Sequence, residues 1–319
     1  MDHSPAVSVI VPAYNVTRYI GDALDSLRAQ TFRNFETIVV NDGCPDSANL
    51  ERVLEPYRGE IVYIRQENQG LAAARNTAIQ AARAPLVALL DSDDAWEPDY
   101  LQAQTDFLAK HPQTDVVSPN AYFVGDTLFP GKTMADLFPS HGEVNFQSLL
   151  ARDNQIFVGV TARVEAIVRA GFFDPDLRSA EDLDMWLRMA HGGARFAYNS
   201  RPLVRYRARP DSLSNDPIWI TNHVLQVYRK LAGVLKLNSE DQRALDCAIR
   251  HQEANLDFYM GKKALYAGRN QEAQERLGRA NLVLRKRKID FALVALRIAP
   301  GLLHRLILWR NPTEYKFLH

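Results

Sequence analysis

Cysteine is scarce: the 319 residues contain only Cys44 and Cys247. Two thiols cannot build a disulfide framework, and two reduced thiols fit a cytosolic setting. Net charge is missing too, because 38 Lys and Arg residues balance 38 Asp and Glu. No uncharged run approaches the roughly 20 residues that a membrane-spanning helix needs. The nearest candidate, 291–309, is interrupted by Arg297, Pro300, His304 and Arg305. The start, Met-Asp-His-Ser-Pro, lacks the basic stretch and cleavable apolar core of a signal peptide. No GxxxxGK[ST] loop for cradling phosphate is present. What remains is ordinary for a globular chain, with 46% hydrophobic and 24% charged residues. Collagen-like, disulfide-scaffold and wholly disordered classes are excluded, and the length allows one large domain or two modest ones.

The charge balance hides an asymmetry. From Thr221 onward there are 18 basic and 9 acidic residues, a net of +9, so residues 1–220 carry a net of −9. The expected organisation is an α/β body over 1–220 and a basic helical extension over 221–319. Within the body, 7–11, 37–40, 61–64 and 86–90 are near-continuous Val/Ile/Leu runs, the pattern of parallel strands buried on both faces. Helical patterns over 19–29, 48–57 and 71–82 separate them. Alternation at this spacing predicts βαβ units and a doubly wound, mostly parallel sheet over about 1–112.

The second half of the body, 113–220, is less regular. Strands are expected at 116–117 and 156–160, helices at 164–170 and 182–190, and a strand pair over 196–207. The Gly-, Pro- and Asp-rich stretch 123–143 reads as a loop. After Asn222 the pattern is all helical. Residues 256–280 resemble one tetratricopeptide-like hairpin, although stable arrays need at least three such units. Arg285-Lys286-Arg287-Lys288 precedes an apolar helix with a thin polar stripe. That pattern fits an interfacial helix on an anionic membrane surface, or a helix docked on the body or on a second subunit in a homodimer.

In doubly wound sheets ligands bind beyond the carboxyl ends of the strands, where the chemically suggestive clusters fall. Asp91-Ser92-Asp93 follows a buried run. Alternate carboxylates on extended backbone point to one side, and oxygen donors suit Mg²⁺ or Mn²⁺ bridging substrate phosphates. The plain alternative is a solvated acidic turn before the helix that follows Pro98. Asn41-Asp42-Gly43 is either a turn or a carboxylate for a uracil imide or ribose hydroxyl. Arg75 and Asn76 sit early in the helix after Gly70, as surface residues or as braces for donor-side loops. Glu181-Asp182 opens a helix, either as acids favoured by the macrodipole or as a general base at a cleft mouth. Arg207, Arg209 and Ser212 lie in a basic, hydroxylic loop whose donors suit a diphosphate.

In order and spacing, six segments resemble the family 2 inverting glycosyltransferases of the GT-A fold. They are Val-Ser-Val-Ile-Val-Pro-Ala-Tyr-Asn, Val-Asn-Asp-Gly, Asn-Gln-Gly-Leu-Ala-Ala-Ala-Arg-Asn, Leu-Asp-Ser-Asp-Asp, Glu-Asp-Leu-Asp-Met-Trp-Leu-Arg and Tyr-Arg. The resemblance spans residues 7–214. It implies that Pro12, Tyr14 and Asn15 line a nucleotide pocket and that Asp42 contacts the base. It also implies Asp93 as main metal ligand, Asp91 near ribose or metal with Ser92 between them, and Asp182 as catalytic base beside Glu181. Many relatives carry His two residues after the Tyr-Arg arginine. Here that position is Arg209, which cannot ligate a metal.

The expected activity is transfer of a sugar from a nucleotide-sugar, in the UDP class, to a hydroxyl of a glycan or lipid-linked acceptor. The expected setting is cytoplasmic, with the tail either attached peripherally to the cytoplasmic face of the membrane or packed on protein. No nucleic-acid partner is expected. Two alternatives stay open on residues alone: a nucleotidyltransferase, and a catalytically silent sugar-nucleotide-binding scaffold.

Overall fold

The computed structural model describes residues 4–140, 142–157, 159–209 and 216–301. The chain divides into two compact units, Met1–Pro210 and Asp211–His319.

The first unit begins with β1 (Val7–Ala13), α1 (Ile20–Arg28), β2 (Phe35–Asp42), α2 (Ser47–Leu54), β3 (Ile61–Gln66), α3 (Leu71–Ala81) and β4 (Leu86–Leu89). β1 lies between β2 and β4, parallel to both. All seven of its residues are buried, which is why the segment is almost purely aliphatic. Each such Val or Ile stabilises the fold by about 1.5–3 kcal/mol. Ser8, the one polar residue within β1, is satisfied: its hydroxyl donates to Glu36 at 2.6 Å and accepts from the Ala84 amide at 3.2 Å. α1 buries Ile20, Ala23, Leu24 and Leu27, the 3–4 spacing of one helical face.

The unit continues with β5 (Ala95–Trp96), α4 (Tyr100–Lys110), β6 (Val116–Gly125), α5 (Met134–Leu137), α6 (Phe146–Ala151), β7 (Thr161–Arg163), α7 (Val164–Arg169), α8 (Glu181–His191) and β8 (Phe196–Ala208). Among the described residues these strands form one eight-stranded sheet in the order β3-β2-β1-β4-β7-β6-β8-β5. β7 is antiparallel to both β4 and β6, whereas β8 runs parallel to β6. The path steps outward from β1 to β3 and returns to place β4 against the other side of β1. The switch point between β1 and β4 leaves the carboxyl ends of β1, β2 and β4 facing one region.

Three local expectations are corrected. The strand expected at 156–160 is shifted to β7; Val160 is fully buried and its carbonyl accepts from the Leu89 amide. The strand pair over 196–207 is one strand, β8. Its register against β6 passes from Pro119↔Asn199 to Asn120↔Pro202, so Ser200 and Arg201 are absorbed as a bulge rather than a turn. Part of the loop expected over 123–143 is ordered, as the end of β6 and as α5, whose Thr133 and Asp136 form a capping box.

The second unit contains α9 (Pro217–Val234), α10 (Ser239–Tyr266), α11 (Asn270–Leu284) and α12 (Arg287–Ile298). Asp216 caps α9, accepting from the Ile218 and Trp219 amides, with Pro217 at the first helical position. α10 and α11 form a hairpin through Gly268, whose φ of +72° is left-handed. The core of this unit gathers Ala264, Leu265, Ala273, Leu277, Ile289 and Leu296. Among the described residues no helix is long and apolar enough to cross a membrane.

Candidate active site

The carboxyl ends of β1 and β2 form one wall. Past β1, Tyr14 is half-exposed and Asn15 takes a left-handed φ of 54°, its amide donating to the Cys44 sulfur. At the end of β2, Asp42 is buried and both carboxylate oxygens accept hydrogen bonds from one loop. Oδ1 takes the Gln66 side-chain amide at 2.7 Å and the Gln69 amide at 3.0 Å, while Oδ2 takes the Gly70 amide at 2.8 Å. Asp42 therefore shapes the 66–70 loop that feeds α3. Gly43 makes this possible: its φ is +64°, and a Cβ there would lie 2.6 Å from the Asn68 amide nitrogen.

Beyond β4 stands the acid cluster. Ser92 is buried and donates to the Pro12 carbonyl at 2.7 Å, locking the cluster to the end of β1. Asp94 is buried and accepts from the Arg207 amide at 2.8 Å. Arg207 donates through Nε to the Asp93 carbonyl and through Nη2 to Asp22, both at 2.8 Å. Arg209 donates to the Asp93 carboxylate at 2.9 Å. Both guanidiniums lie over the Tyr19 ring, at 5.4 and 4.8 Å. Burial, reinforced by the Asp91 charge, raises Asp93 above the usual carboxylate range, with Arg209 opposing. Burial and the same neighbour push Asp94 up strongly.

The acid pair at the start of α8 is tied to this cluster by one residue. Arg75 is 1% exposed, and its two terminal nitrogens reach Asp91 at 2.8 Å and Glu181 at 2.6 Å. It thereby joins residues 16 and 106 positions away along the chain. Asn76 clamps the loop before α8 by exchanging two hydrogen bonds with the Phe173 backbone, at 2.7 and 3.0 Å. Glu181 is buried on Arg75, whereas Asp182 is half-buried and accepts from the Leu183 amide. Burial and the neighbouring Glu181 carboxylate hold Asp182 well above the ordinary carboxylate range, partly offset by Arg75.

The model of Glycosyl transferase family 2 matches residues 8–167. A putative teichuronic acid biosynthesis glycosyltransferase, TuaG of Bacillus subtilis, is 30% identical over 233 residues, covering 71% of this chain and 88% of that one. This chain belongs to glycosyl transferase family 2. Solved structures place the family 2 glycosyltransferase in the GT-A fold. S. aureus TarS 1-349 in complex with UDP-GlcNAc has a TM-score of 0.63 at 19% identity, covering 96% of this chain and 92% of that one. The mannosyltransferase PcManGT of Pyrobaculum calidifontis, in complex with GDP-Man and Mn²⁺, has a TM-score of 0.64 at 20% identity, covering 99% and 86%.

The glycosyltransferase thus brings Pro12, Ser92, Asp91, Asp93, Arg207 and Arg209 into one bonded cluster and links Glu181 to it. Arg75 is enclosed, so it meets any ligand only through Asp91 and Glu181. Ser212 lies outside the described residues. Tyr19 and Asp22 carry no signal in the sequence, yet together with Asp94 of the acid cluster they hold Arg207 and Arg209. Tyr19 and Asp22, just before and within the first turn of α1, carry no motif, and only the folded chain reveals their partners nearly 190 positions away.

Proposed function

We propose that this glycosyltransferase is inverting and metal-assisted, taking a nucleotide-sugar of the UDP class and delivering the sugar to a hydroxyl of a glycan or lipid-linked acceptor, with Asp182 as base. The observation that carries the reading is the Arg75 bridge. It couples Asp91 of the acid cluster to Glu181, the chain neighbour of Asp182.

The donor set suits a hard divalent cation. Among the described residues no group of three or more His, Cys, Asp or Glu side chains is gathered as a metal site. Two carboxylates plus phosphate oxygens are nevertheless how Mg²⁺ is commonly held. The like-charge pressure of Asp91 on Asp93 is what a cation would relieve. Asp93, with Asp91, would hold Mg²⁺ or Mn²⁺, which offsets the negative charge that builds on the departing diphosphate. Arg207 and Arg209, fixed by Asp22, Asp93 and the Tyr19 ring, supply permanent positive charge at the same end.

Asp182 performs the proton step. Its carboxylate accepts the proton of the acceptor hydroxyl as that oxygen forms its bond to the anomeric carbon. The bond from that carbon to the diphosphate oxygen breaks, and the electron pair leaves with the nucleoside diphosphate. Displacement from the side opposite the leaving group inverts the centre. Glu181 is held by Arg75 and serves as a positioning residue. The relative named for teichuronic acid biosynthesis supports a polysaccharide-type acceptor.

A panel of sugar nucleotides, assayed for transfer and slow hydrolysis with Mn²⁺ and with EDTA, tests the reading. Turnover of UDP-sugars that requires Mn²⁺ and disappears in Asp93→Ala is expected. Full turnover in EDTA would remove the metal and leave the charge to Arg207 and Arg209.

A further inference from the structure

The second unit carries a surface that the transfer chemistry does not use. At 3.6 residues per turn, Ile289 and Leu296 fall on one side of α12, and Phe291, Val294 and Ile298 on the opposite side. The first pair is buried in the core of the unit. The opposite stripe is exposed, by 66%, 53% and 79%, and Leu282 near the end of α11 by 78%. Arg285, Lys286, Arg287 and Lys288 stand at the start of α12, all four exposed, with the Lys286 ammonium over the Phe258 ring. The sequence that follows α12 continues in kind, with Leu306, Ile307, Leu308 and Trp309 between Arg305 and Arg310.

We propose that this face of α12 docks on an anionic lipid bilayer, lying in the interface rather than crossing it. Charge complementarity selects the occupant. An apolar stripe alone would suit another protein, but one on a helix that opens with four consecutive exposed cations fits an interface where apolar side chains enter the acyl boundary and cations face anionic headgroups. Parallel pairing of the same face between two copies would bring both cation clusters together, which like-charge repulsion opposes. This inference stands independently of the donor, metal and base assignments.

Flotation of the full chain with vesicles tests it, using equal parts phosphatidylcholine and phosphatidylglycerol against phosphatidylcholine alone. Truncation after Leu284 would also strip Ile289 and Leu296 from the core, so solvent-facing substitutions are the better probe. Each basic residue near an anionic leaflet is worth about fivefold in partitioning, so R285Q, K286Q, R287Q and K288Q combined should weaken it by about 10²-fold or more. Phe291→Ser with Ile298→Ser should weaken it by at least about tenfold. Both variants should keep the wild-type circular dichroism and Tm. The proposal is supported if the wild type floats with the anionic vesicles only and both variants stay behind. It is overturned if the wild type does not float, if flotation ignores both substitutions, or if Phe291→Ser instead dissolves a dimer seen by sedimentation.

Discussion

Arg75 is the residue on which the site turns. It is enclosed, and it neutralises two carboxylates from different parts of the chain. Breaking a buried ion pair by removing one partner costs about 3–5 kcal/mol, because the other charge stays behind. Arg75→Met should lower stability by about that amount in urea titration. Arg75→Lys keeps the charge but loses the planar fork that reaches both acids at once; it should retain part of the stability and lose turnover with little change in KM. Wild-type turnover in Arg75→Lys would dissolve the link between the two acid clusters. Asp182 gives a second test. Only its ionised form can accept a proton, so turnover should fall as pH drops through a value well above the ordinary Asp pKa of about 3.9. Stability should move the other way. A pKa raised in the folded state means the folded chain binds this proton more tightly than the unfolded one. The penalty for ionised Asp182 is full above the raised folded value and is relieved as pH falls toward the unfolded value. Asp182→Asn should therefore lose the acidic limb and be more stable than wild type at neutral pH, read as a higher urea midpoint. An unchanged acidic limb in that variant would place the titrating base elsewhere.

At the scale of elements, Gly261 shows two effects competing inside α10. Replacing a mid-helix glycine by alanine gains about 1 kcal/mol in helix propensity. A Cβ there would lie 2.9 Å from Leu277 Cγ and 3.1 Å from the Leu277 backbone nitrogen. Overpacking of that kind costs about 1–3 kcal/mol, and the backbone atom cannot swing aside. Gly261→Ala should therefore destabilise the hairpin, by up to about 2 kcal/mol, measured by thermal unfolding; a rise in Tm would mean that α11 yields. The elements readable from sequence were those with one dominant periodicity. β1, β2 and β4 are continuous aliphatic runs because both faces are buried, and α1 and α8 repeat at helical spacing. β6, β7 and β8 were less legible because their pairing partners lie far along the chain. The Asn199-Ser200-Arg201-Pro202 stretch has turn composition, yet the sheet holds it as a bulge. Asp91, Asp93 and the Glu181-Asp182 pair stood out as local motifs. The contact from Arg207 to Asp22 spans 185 positions and leaves no local trace.

At the scale of the whole molecule, the charge asymmetry of the sequence maps onto chemistry. The acidic body holds the carboxylates of the site, and the basic extension carries the cations beside α12. The central claim is that one body joins a cation-binding carboxylate pair to a single base, Asp182. The most direct test is Asp182→Asn, with turnover measured for transfer and donor affinity measured by calorimetry in Mn²⁺. The account predicts that donor affinity stays within a few-fold while turnover falls by about 10²-fold or more, the scale of lost general-base catalysis. Wild-type turnover in Asp182→Asn, with the donor bound normally, would contradict it.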